Sequence, residues 1–221
     1  AMVTLYGTGS SDPDGDPLTY TWTGSFGTAS GPTPTITLPL GVHTITLTVD
    51  DGKGGKSSDT VVITVQDTKA PSVSCSVTPP SLWPPNHNLV NVGLSASASD
   101  ACDPNPTIAV KVYGDEDDEE PTGDGNHSPD DKDIALKTLR LRSERKGDAD
   151  GRVYLIVVTA TDHSGNVGHH CCTVVVPHSQ SKAAIASVNA QAAAALASCG
   201  PNGSPSTPFV VGDGPIIGPK Q

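Results

Sequence analysis

The chain is poor in aromatic side chains, which make up 4% of its 221 residues. Cores built from so few rings must be aliphatic and modest in size, because aromatic residues carry the largest buried area per side chain. Small β-domains with modest cores often need a further crosslink, either a disulfide or a metal ion. The five cysteines and the clustered carboxylates are therefore the candidate crosslinks.

Basic residues are also scarce, since 13 Lys and Arg stand against 24 Asp and Glu, for a net charge of −11. Nucleic-acid binding needs a basic surface, so this balance argues against a nucleic-acid partner. The excess of carboxylates favours cations as partners instead. The chain also lacks an apolar run of about 18 residues, so the sequence predicts no membrane span.

Signatures of catalysis are missing as well. The sequence contains no G-x-S-x-G nucleophile elbow, no H-E-x-x-H zinc motif and no phosphate-cradling glycine loop. Scattered Ser, His and Asp residues are expected by chance at this composition. The sequence therefore predicts a protein that is not an enzyme.

What is present is an internal repeat. The segments Val42–Val65 and Val153–Val176 align without a gap, and Asp51 falls on Asp162. Each segment is an alternating strand, an Asp/Gly turn and a second alternating strand. A repeat of this length indicates two copies of one β-module in tandem. The predicted fold class is therefore all-β, with two tandem Ig-like β-sandwiches and a short C-terminal helical extension.

The composition places the module boundaries in short loops. The first module is expected at 3–67, the second at 72–177, and the C-terminal extension at 178–221. An alanine-rich segment at about 182–198 predicts a helix that docks on the second module. Its apolar stripe is expected to consist of Ile185, Val188, Ala192 and Leu196.

Period-two alternation predicts the strands. In the first module, they are expected at 18–22, 35–38, 43–49 and 60–65. On the last of these, Val61, Ile63 and Val65 share the face expected to lie in the core. In the second module, a strand is expected at 134–142, after an acidic loop.

Five cysteines in two small β-modules indicate an oxidising setting, either secreted or at the cell surface. Cys75 is in phase with core-facing valines, and Cys172 aligns with core-facing Val61 in the repeat. Because first and last strands are commonly adjacent in Ig-like sandwiches, a Cys75–Cys172 disulfide is predicted.

The other cysteines leave two possibilities open. Cys171 faces outward, and Cys199 could pair with Cys171 or with Cys102 at the end of the helix. The run His169–Cys172 is not predicted to bind zinc, because neighbours on a strand point to opposite faces.

The D-P-D-G-D motif places Asp12, Asp14 and Asp16 at alternate positions. Three carboxylates and a glycine can wrap one hard cation, and Asp50 and Asp51 in a second turn could complete the shell. The spacing departs from that of an EF-hand loop. The alternative is a solvated β-turn rich in turn-forming residues. We predict calcium, which would relieve the repulsion between these carboxylates.

A second group of carboxylates fills the stretch 115–133, which holds ten of them. A calcium site is predicted there from Asp124, Asn126 and Asp130, beside glycines that allow a tight turn. The alternative is a mobile, solvated loop that keeps the protein soluble. Weaker candidates lie in two other turns, where Asx-turn hydrogen bonds to the backbone are the preferred interpretation. These are Asp100, Asp103, Asp162 and Asn166.

Trp83 begins a W-P-P-N-H run and is the candidate ligand-binding aromatic. Its ring could be an exposed platform that stacks on a sugar face. The preferred interpretation is a rigid crossover in which Trp83 plugs the edge of the core. By contrast, Trp22 alternates with Tyr20 and is predicted to be a core residue.

Several motifs resemble known extracellular families. The segment Ser11–Trp22, SDPDGDPLTYTW, followed by the turn at Asp50, resembles PKD-type (polycystic-kidney-disease-like) Ig-fold domains of bacterial secreted proteins. The W-D-F-G-D-G stretch typical of that family is absent, so the resemblance is to the broad PKD/cadherin-like superfamily. The stretch TATDHSGN at 159–166, with a downstream cysteine and a valine-rich strand, resembles the hyalin-repeat (HYR) family.

Further motifs of the second module are similar to a group of bacterial extracellular modules. They are LWPPNH at 82–87, SDACD at 99–103, GDGN at 123–126, LRSER at 141–145 and GRVY at 151–154. The resemblances imply an adhesion or spacer role and no common catalytic site.

The expected function is therefore that of a non-catalytic, calcium-stabilised adhesion or spacer module of a larger secreted or cell-surface bacterial protein. The expected partners are calcium ions and either a surface polysaccharide or another protein. The alternative is a carbohydrate-binding accessory module of a secreted hydrolase. An exposed aromatic cleft would favour that alternative, whereas a buried Trp83 would weaken it.

Overall fold

The computed structural model describes residues 1–115, 131–145 and 150–200. The chain divides into two compact units, with the boundary between Thr68 and Lys69. Regular structure in the described residues consists of β-strands and one C-terminal α-helix, which confirms the predicted all-β, Ig-like class. Within those residues, no helix combines the length and the apolar character needed to cross a membrane.

The first unit, which is described throughout, is a sandwich of two unequal sheets. Its strands are β1 (Met2–Thr4), β2 (Thr19–Gly24), β3 (Gly27–Ser30), β4 (Thr35–Thr37), β5 (Gly41–Asp50) and β6 (Lys56–Val65). One antiparallel sheet has the order β3-β2-β5-β6, and β1 pairs with β4 in the other. The four predicted strands are present with shifted ends, but the short strands β1 and β3 were not predicted.

The core of this unit follows the alternation of β5. Ile45, Leu47 and Val49 are buried on one face of the strand, while threonines occupy the other face. Trp22 packs beside them and is 4% exposed, which agrees with its predicted core position. Its indole N–H donates to the carbonyl of Gly31 at 2.9 Å, so the buried polar group is satisfied.

Strand β6 is less well covered than its sequence predicts. The register pairs Val61 with Ile45 and Ile63 with His43, so both side chains lie on the inner face, as expected. However, the two-stranded sheet leaves this part of the face uncovered. Val61 is 42% exposed and Ile63 is half-buried. The prediction that Val61 lies in the core is therefore wrong.

The second unit contains eight described strands and the helix. The strands are β7 (Ser72–Ser76), β8 (Leu89–Asn91), β9 (Ser95–Ser99), β10 (Thr107–Gly114), β11 (Asp131–Lys132), β12 (Arg140–Arg142), β13 (Gly151–Thr161) and β14 (Val167–Pro177). The sheet β10-β13-β14 packs over the smaller sheets β7-β9 and β11-β12-β8. The hairpin β13–β14 is the second copy of the internal repeat, and its counterpart in the first unit is β5–β6.

Strand β13 is buried on both faces, unlike β5. Tyr154 and Ile156 point into the sandwich core, whereas Val153, Leu155 and Val157 point to the opposite side. There they meet helix α1 (Lys182–Ser198). The helix therefore removes from water the face that in the first copy carries threonines.

Helix α1 begins at the N-cap Ser181, whose hydroxyl oxygen accepts a hydrogen bond from the Ala184 amide at 3.1 Å. The docked helix was predicted, but its buried stripe differs from the predicted one. The buried residues are Val188, Ala192 and Ala195, while Ile185 is 36% exposed and Leu196 is 42% exposed. Steps of four residues advance about 40° around a helix, so the predicted stripe drifts off the contact face.

The predicted strand at 134–142 is wrong except at its end, because only β12 (Arg140–Arg142) is a strand within that range. Strands β11 and β12 are separated by a turn in which Asp133 has φ 55° and Lys137 has φ 68°. Left-handed residues cannot continue a strand, and alternation alone did not reveal them. Leu139 and Leu141 on the far side of the turn are fully buried.

Candidate functional site

The Asp12–Asp16 turn gathers three carboxylates. One oxygen from each of Asp12, Asp14 and Asp16 lies within 4.8 Å of the others. The Asp12 Oδ1 atom accepts hydrogen bonds from the backbone amides of Asp14, at 2.9 Å, and Asp16, at 3.1 Å. Gly15 has φ 81°, a conformation that favours glycine. The turn is thus ordered by its own Asp12 side chain, and it also brings three carboxylates close together.

The second Asp-rich turn uses its carboxylates locally. The Asp51 Oδ1 atom accepts from the amides of Lys53 and Gly55, at 2.7 and 2.9 Å. Asp50 accepts from the amide of Gly52 and lies 2.8 Å from the Lys56 ammonium. The hydrogen bond from Lys56, followed by that from Gly52, lowers the pKa of Asp50. Participation of Asp50 and Asp51 in a metal shell stays a prediction.

A lysine joins the two turns. The Lys53 ammonium lies 2.7 Å from Asp16 Oδ1, and its side chain is 70% exposed. This exposed ammonium neutralises one carboxylate of the cluster. The other predicted ligands, Asp124, Asn126 and Asp130, lie outside the described residues.

The weaker acidic candidates form Asx turns, as preferred from the sequence. The Asp100 Oδ1 atom accepts from the amides of Cys102 and Asp103, at 2.8 and 2.9 Å. Asp162 accepts from the backbone and side-chain N–H groups of Asn166, both at 2.8 Å. Burial would raise the pKa of Asp162, but these hydrogen bonds and those from neighbouring amides lower it overall.

The sequence did not predict the pairing of Asp103 with His163. The Asp103 Oδ2 atom accepts from the His163 backbone N–H at 3.0 Å and lies 2.8 Å from Nδ1 of its ring. Hydrogen bonds from the Asn105 amide and from His163 lower the pKa of Asp103, whose carboxyl is buried. In turn, the hydrogen bond to Asp103 and the negative charge of that carboxylate raise the pKa of His163, whose side chain is 88% exposed.

A buried polar network was also missed. Glu144 accepts from Arg152 at 3.2 Å and lies 2.9 Å from the His87 ring. Tyr154 donates to the carbonyl of Arg142 at 2.9 Å and accepts from Arg152 at 3.1 Å. The network ties together the LWPPNH, LRSER and GRVY motifs. The sequence signal that could have indicated this network is the presence of charged residues next to the apolar positions of β12 and β13.

Two disulfides connect neighbouring residues of β14 to different parts of the second unit. Cys172 is bonded to Cys75, with 6.2 Å between the Cα atoms, and Cys171 is bonded to Cys199. The Cys75–Cys172 pairing agrees with the shared inward phase of the two residues. Strands β7 and β14 lie side by side, as expected, but they belong to different sheets, so the bond joins the two layers.

A histidine lies close to this bond. The His170 Nδ1 atom is 3.3 Å from the Cys75 sulfur, and the two sulfurs and the ring nitrogen could share a metal ion by distance. However, zinc is bound by thiolates, and both sulfurs are occupied in the disulfide. The geometry therefore agrees with the prediction that this run is a disulfide site.

Trp83 does not plug the core. The side chain that enters the sandwich is that of its neighbour Leu82, which is 2% exposed, whereas Trp83 is 47% exposed. Backbone pairing of this segment with Val175 orients Leu82 inward, since the Leu82 amide donates to the Val175 carbonyl at 2.8 Å. The preferred interpretation of Trp83 as a core plug is therefore wrong.

The pair of Ser25 and His43 lacks the geometry of a catalytic triad. The Ser25 hydroxyl lies 2.7 Å from Nδ1 of the buried His43, and Nε2 lies 3.0 Å from the Pro39 carbonyl. A carbonyl requires the proton on Nε2, so Nδ1 accepts from Ser25. The third partner is thus a neutral carbonyl and not the carboxylate of a hydrolase triad.

Residues 1–65 match the family model of the PKD domain. The match spans β1 to the end of β6, including the Asp12–Asp16 turn. The first unit is therefore similar to PKD domains, which supports this part of the resemblance. The hyalin-repeat resemblance of the second unit stays a prediction.

Comparisons over the whole chain are weaker. Among solved structures, human protocadherin-24 EC1-2 is similar at 16% identity, with a TM-score of 0.28. The similarity covers 74% of this chain and 82% of that one, but at this score it carries no functional argument. No curated protein matches the chain.

Proposed function

We propose that the chain is a non-catalytic adhesion or spacer module of a larger secreted or cell-surface bacterial protein, stabilised by calcium at the Asp-rich turn of its first unit. The observation that carries the proposal is the convergence of Asp12, Asp14 and Asp16 within 4.8 Å. The PKD match supports a modular role, and two disulfides suit an oxidising compartment.

The chemistry of the turn suits calcium. Calcium prefers six to eight oxygen ligands, many of them carboxylates. Besides the three aspartates, Ser10, Ser11 and Asp51 line the hollow that Asp12 faces, so further oxygens lie nearby. An ion here would hold the loop between β1 and β2 and would take over the neutralising role of Lys53.

The test is a thermal melt of the full chain in calcium and in EGTA. A ligand that binds the folded state alone stabilises it by roughly 3 kcal/mol at one hundred times its dissociation constant. We expect calcium to raise the melting temperature of the first unit and the variant Asp14→Asn to lose most of that shift. The variant Asp133→Asn removes one charge outside the cluster and should respond like the parent protein.

A variant of Lys53 provides a second test of the same site. The variant Lys53→Met removes the competing cation and should lower the calcium concentration that gives half the melting shift. Identical melting temperatures in calcium and EGTA would reject the proposal. A calcium shift that Asp14→Asn leaves intact would place the ion elsewhere.

A second candidate function is carbohydrate binding, and the exposure of Trp83 favours it. A ring that is 47% exposed can stack on a sugar face. Affinity electrophoresis in gels that contain soluble β-glucan or chitosan tests this role. Retardation that Trp83→Ala abolishes would support it, and equal mobility in all gels would exclude it for these polysaccharides.

A further inference from the structure

Alternate residues of β14 share the face that meets β7. They are Gly168, His170 and Cys172, because successive side chains of a strand point to opposite faces. On the β7 side, Cys75 faces the same space and is bonded to Cys172. The consecutive residues His169–Cys172 cannot all reach one ion, but this alternate set, joined by Cys75, faces one place.

The His170 ring lies beside the two sulfur atoms. Its Nδ1 atom is 3.3 Å from the Cys75 sulfur, and this nitrogen and both sulfurs lie within 4.8 Å of one another. In a tetrahedral zinc site, bonds of about 2.3 Å to sulfur and about 2.0 Å to nitrogen place such atoms roughly 3.5–3.8 Å apart. The Cα atoms of Cys75 and Cys172 are 6.2 Å apart, so side-chain rotation can bring the reduced sulfurs to that separation.

Strand β7 is held against β14 by more than the disulfide. Gly168 lies so close to the backbone of Pro71 that a Cβ atom at this position would overlap the Pro71 carbonyl oxygen. Strand β7 also pairs with β9 along its length, and Val73 and Val77 pack against the core of the second unit. The three ligand atoms should therefore stay together when the disulfide is reduced.

The donor atoms suit zinc in both softness and charge. Thiolates and imidazole are ligands that zinc prefers, whereas calcium takes oxygen ligands such as those of the Asp12 turn. Two thiolates and a neutral imidazole balance the charge of one Zn²⁺ ion. A neutral complex is suited to this place, because Cys172 is only 8% exposed and an unbalanced charge there would be costly. His170 is exposed, which leaves room for a water ligand.

We propose that reduction of the Cys75–Cys172 disulfide converts this place into a zinc site, with Cys75, Cys172 and His170 as ligands and water in the fourth position. A dithiol reductant supplies two electrons and two protons, becomes a disulfide itself and leaves two cysteine thiols. Zinc then replaces the two thiol protons, which pass to solvent. The proposal goes beyond the calcium-stabilised module and does not depend on bound calcium.

The consequence is a crosslink that exists in both redox states. In the oxidised chain the disulfide joins β7 to β14, and in the reduced chain the zinc ion joins the same two strands. Metal binding of this kind stabilises the folded state, because the unfolded chain does not hold the ligands together. Reduction in the presence of zinc should therefore leave the two layers of the second unit connected.

The test measures the alkylation of each cysteine in the full chain. The chain is reduced with dithiothreitol, freed of the reductant by gel filtration under nitrogen, and treated briefly with iodoacetamide in the presence or absence of zinc chloride. Mass spectrometry of the peptides gives the labelling rate of each thiol. We expect zinc to slow the labelling of Cys75 at least about tenfold, with half of the effect below about 10 μM zinc, and that of Cys199 by no more than about twofold.

Two adjacent histidines provide a matched pair of variants. His170→Gln removes a ligand, whereas His169→Gln changes a side chain on the opposite face of β14. The first should raise the zinc concentration for half protection of Cys75 at least about tenfold, and the second should leave it within about twofold. His170→Cys supplies a third thiolate and should restore protection, which a structural role of His170 would not explain.

Cobalt(II) in place of zinc identifies the ligands by spectroscopy. Thiolate-to-cobalt charge-transfer absorption should appear in the reduced chain, should be lost in Cys75→Ser/Cys172→Ser and should be kept in Cys171→Ser/Cys199→Ser. Absorption that follows the second pair of cysteines would overturn the proposal.

The proposal is also overturned if zinc leaves the labelling of Cys75 unchanged, if it slows all cysteines alike, or if the two histidine variants behave alike. Hydrogen exchange of Val153–Thr161 covers the case in which reduction opens the second unit. Zinc should then restore the protection of these amides together with that of Cys75. Amides that stay unprotected in zinc would count against the site as well.

Discussion

Cys171 and Cys172 are adjacent in β14, yet their disulfides run to opposite faces of the same sheet. Cys172 crosses the sandwich core to Cys75 on β7, while Cys171 holds Cys199 just after helix α1. Successive side chains of a strand point in opposite directions, so one dipeptide can crosslink both layers. Among its described residues, the second unit is thereby a three-layer structure in which helix α1 forms the outer layer.

The Cys171–Cys199 bond should hold the helix on the sheet. In the double variant Cys171→Ser/Cys199→Ser, we expect amides of Ala183–Ala197 to exchange faster, because a helix of this length is marginal without its contacts. We also expect the second unit to lose about 2–4 kcal/mol of stability. Hydrogen exchange and denaturant unfolding measure the two effects, with Cys75→Ser/Cys172→Ser as the comparison. Unchanged exchange in the helix would show that packing alone holds it.

The neighbours Leu82 and Trp83 should respond oppositely to truncation. Leu82→Ala removes a side chain that is 2% exposed and should cost about 2–5 kcal/mol, through lost burial and a cavity. Trp83→Ala removes a ring that is 47% exposed and should cost much less. Urea unfolding of the second unit compares the two. A larger loss for Trp83→Ala would mean that the tryptophan is the core plug after all.

Neutralising Glu144 should lower the stability of the second unit. Its side chain is 8% exposed and contacts Arg152 and His87, so Glu144→Gln leaves buried positive charge less well compensated. Breaking a buried ion pair typically costs about 3–5 kcal/mol. The exposed pair of Asp133 and Arg140 is the control, since Asp133→Asn should cost no more than about 1 kcal/mol. Equal losses in urea unfolding would contradict the assignment of a buried network.

The Asp103–His163 pair should make stability depend on pH. His163 has a raised pKa, so its contribution is complete below its ordinary value of 6.5 and is lost as pH rises through the folded value. Asp103 has a lowered pKa, so its contribution is present above 3.8 and is lost as pH falls through the folded value. The stability difference between the parent and His163→Gln should therefore be largest between these ordinary values. A difference that does not change from there to alkaline pH would contradict the pairing.

The internal repeat contains more information than strand positions alone. Thr44 and Thr46 on β5 correspond to Leu155 and Val157 on β13. These positions face away from the sandwich core in both copies, and the structure shows that helix α1 covers the second set. The change from threonine to apolar residues at these positions is thus the feature of the sequence that indicates the docked helix. Alternation within each copy conceals it, whereas comparison of the two copies reveals it.

The sequence predicted less of the candidate site than of the fold. The carboxylates of Asp12, Asp14 and Asp16 were identified from their spacing, because a short turn brings its own residues together. The pairs Asp103–His163 and Glu144–Arg152 were missed for different reasons. Asp103 and His163 lie on two loops that the fold brings together, and Glu144 and Arg152 are buried side chains on neighbouring segments. Spacing along the chain reports neither kind of proximity.

The sequence by itself determined the all-β class, the repeated hairpin and the inward phase of Cys75 and Cys172. Alternation and turn residues act through local backbone geometry, so they can be interpreted without knowledge of the fold. Only the tertiary structure decided that Val61 is left uncovered, that Leu82 rather than Trp83 fills the core, and that β13 is buried on both faces. Burial depends on what packs against a face, and the pattern of a strand records which residues share that face but not how far the opposite layer extends over it.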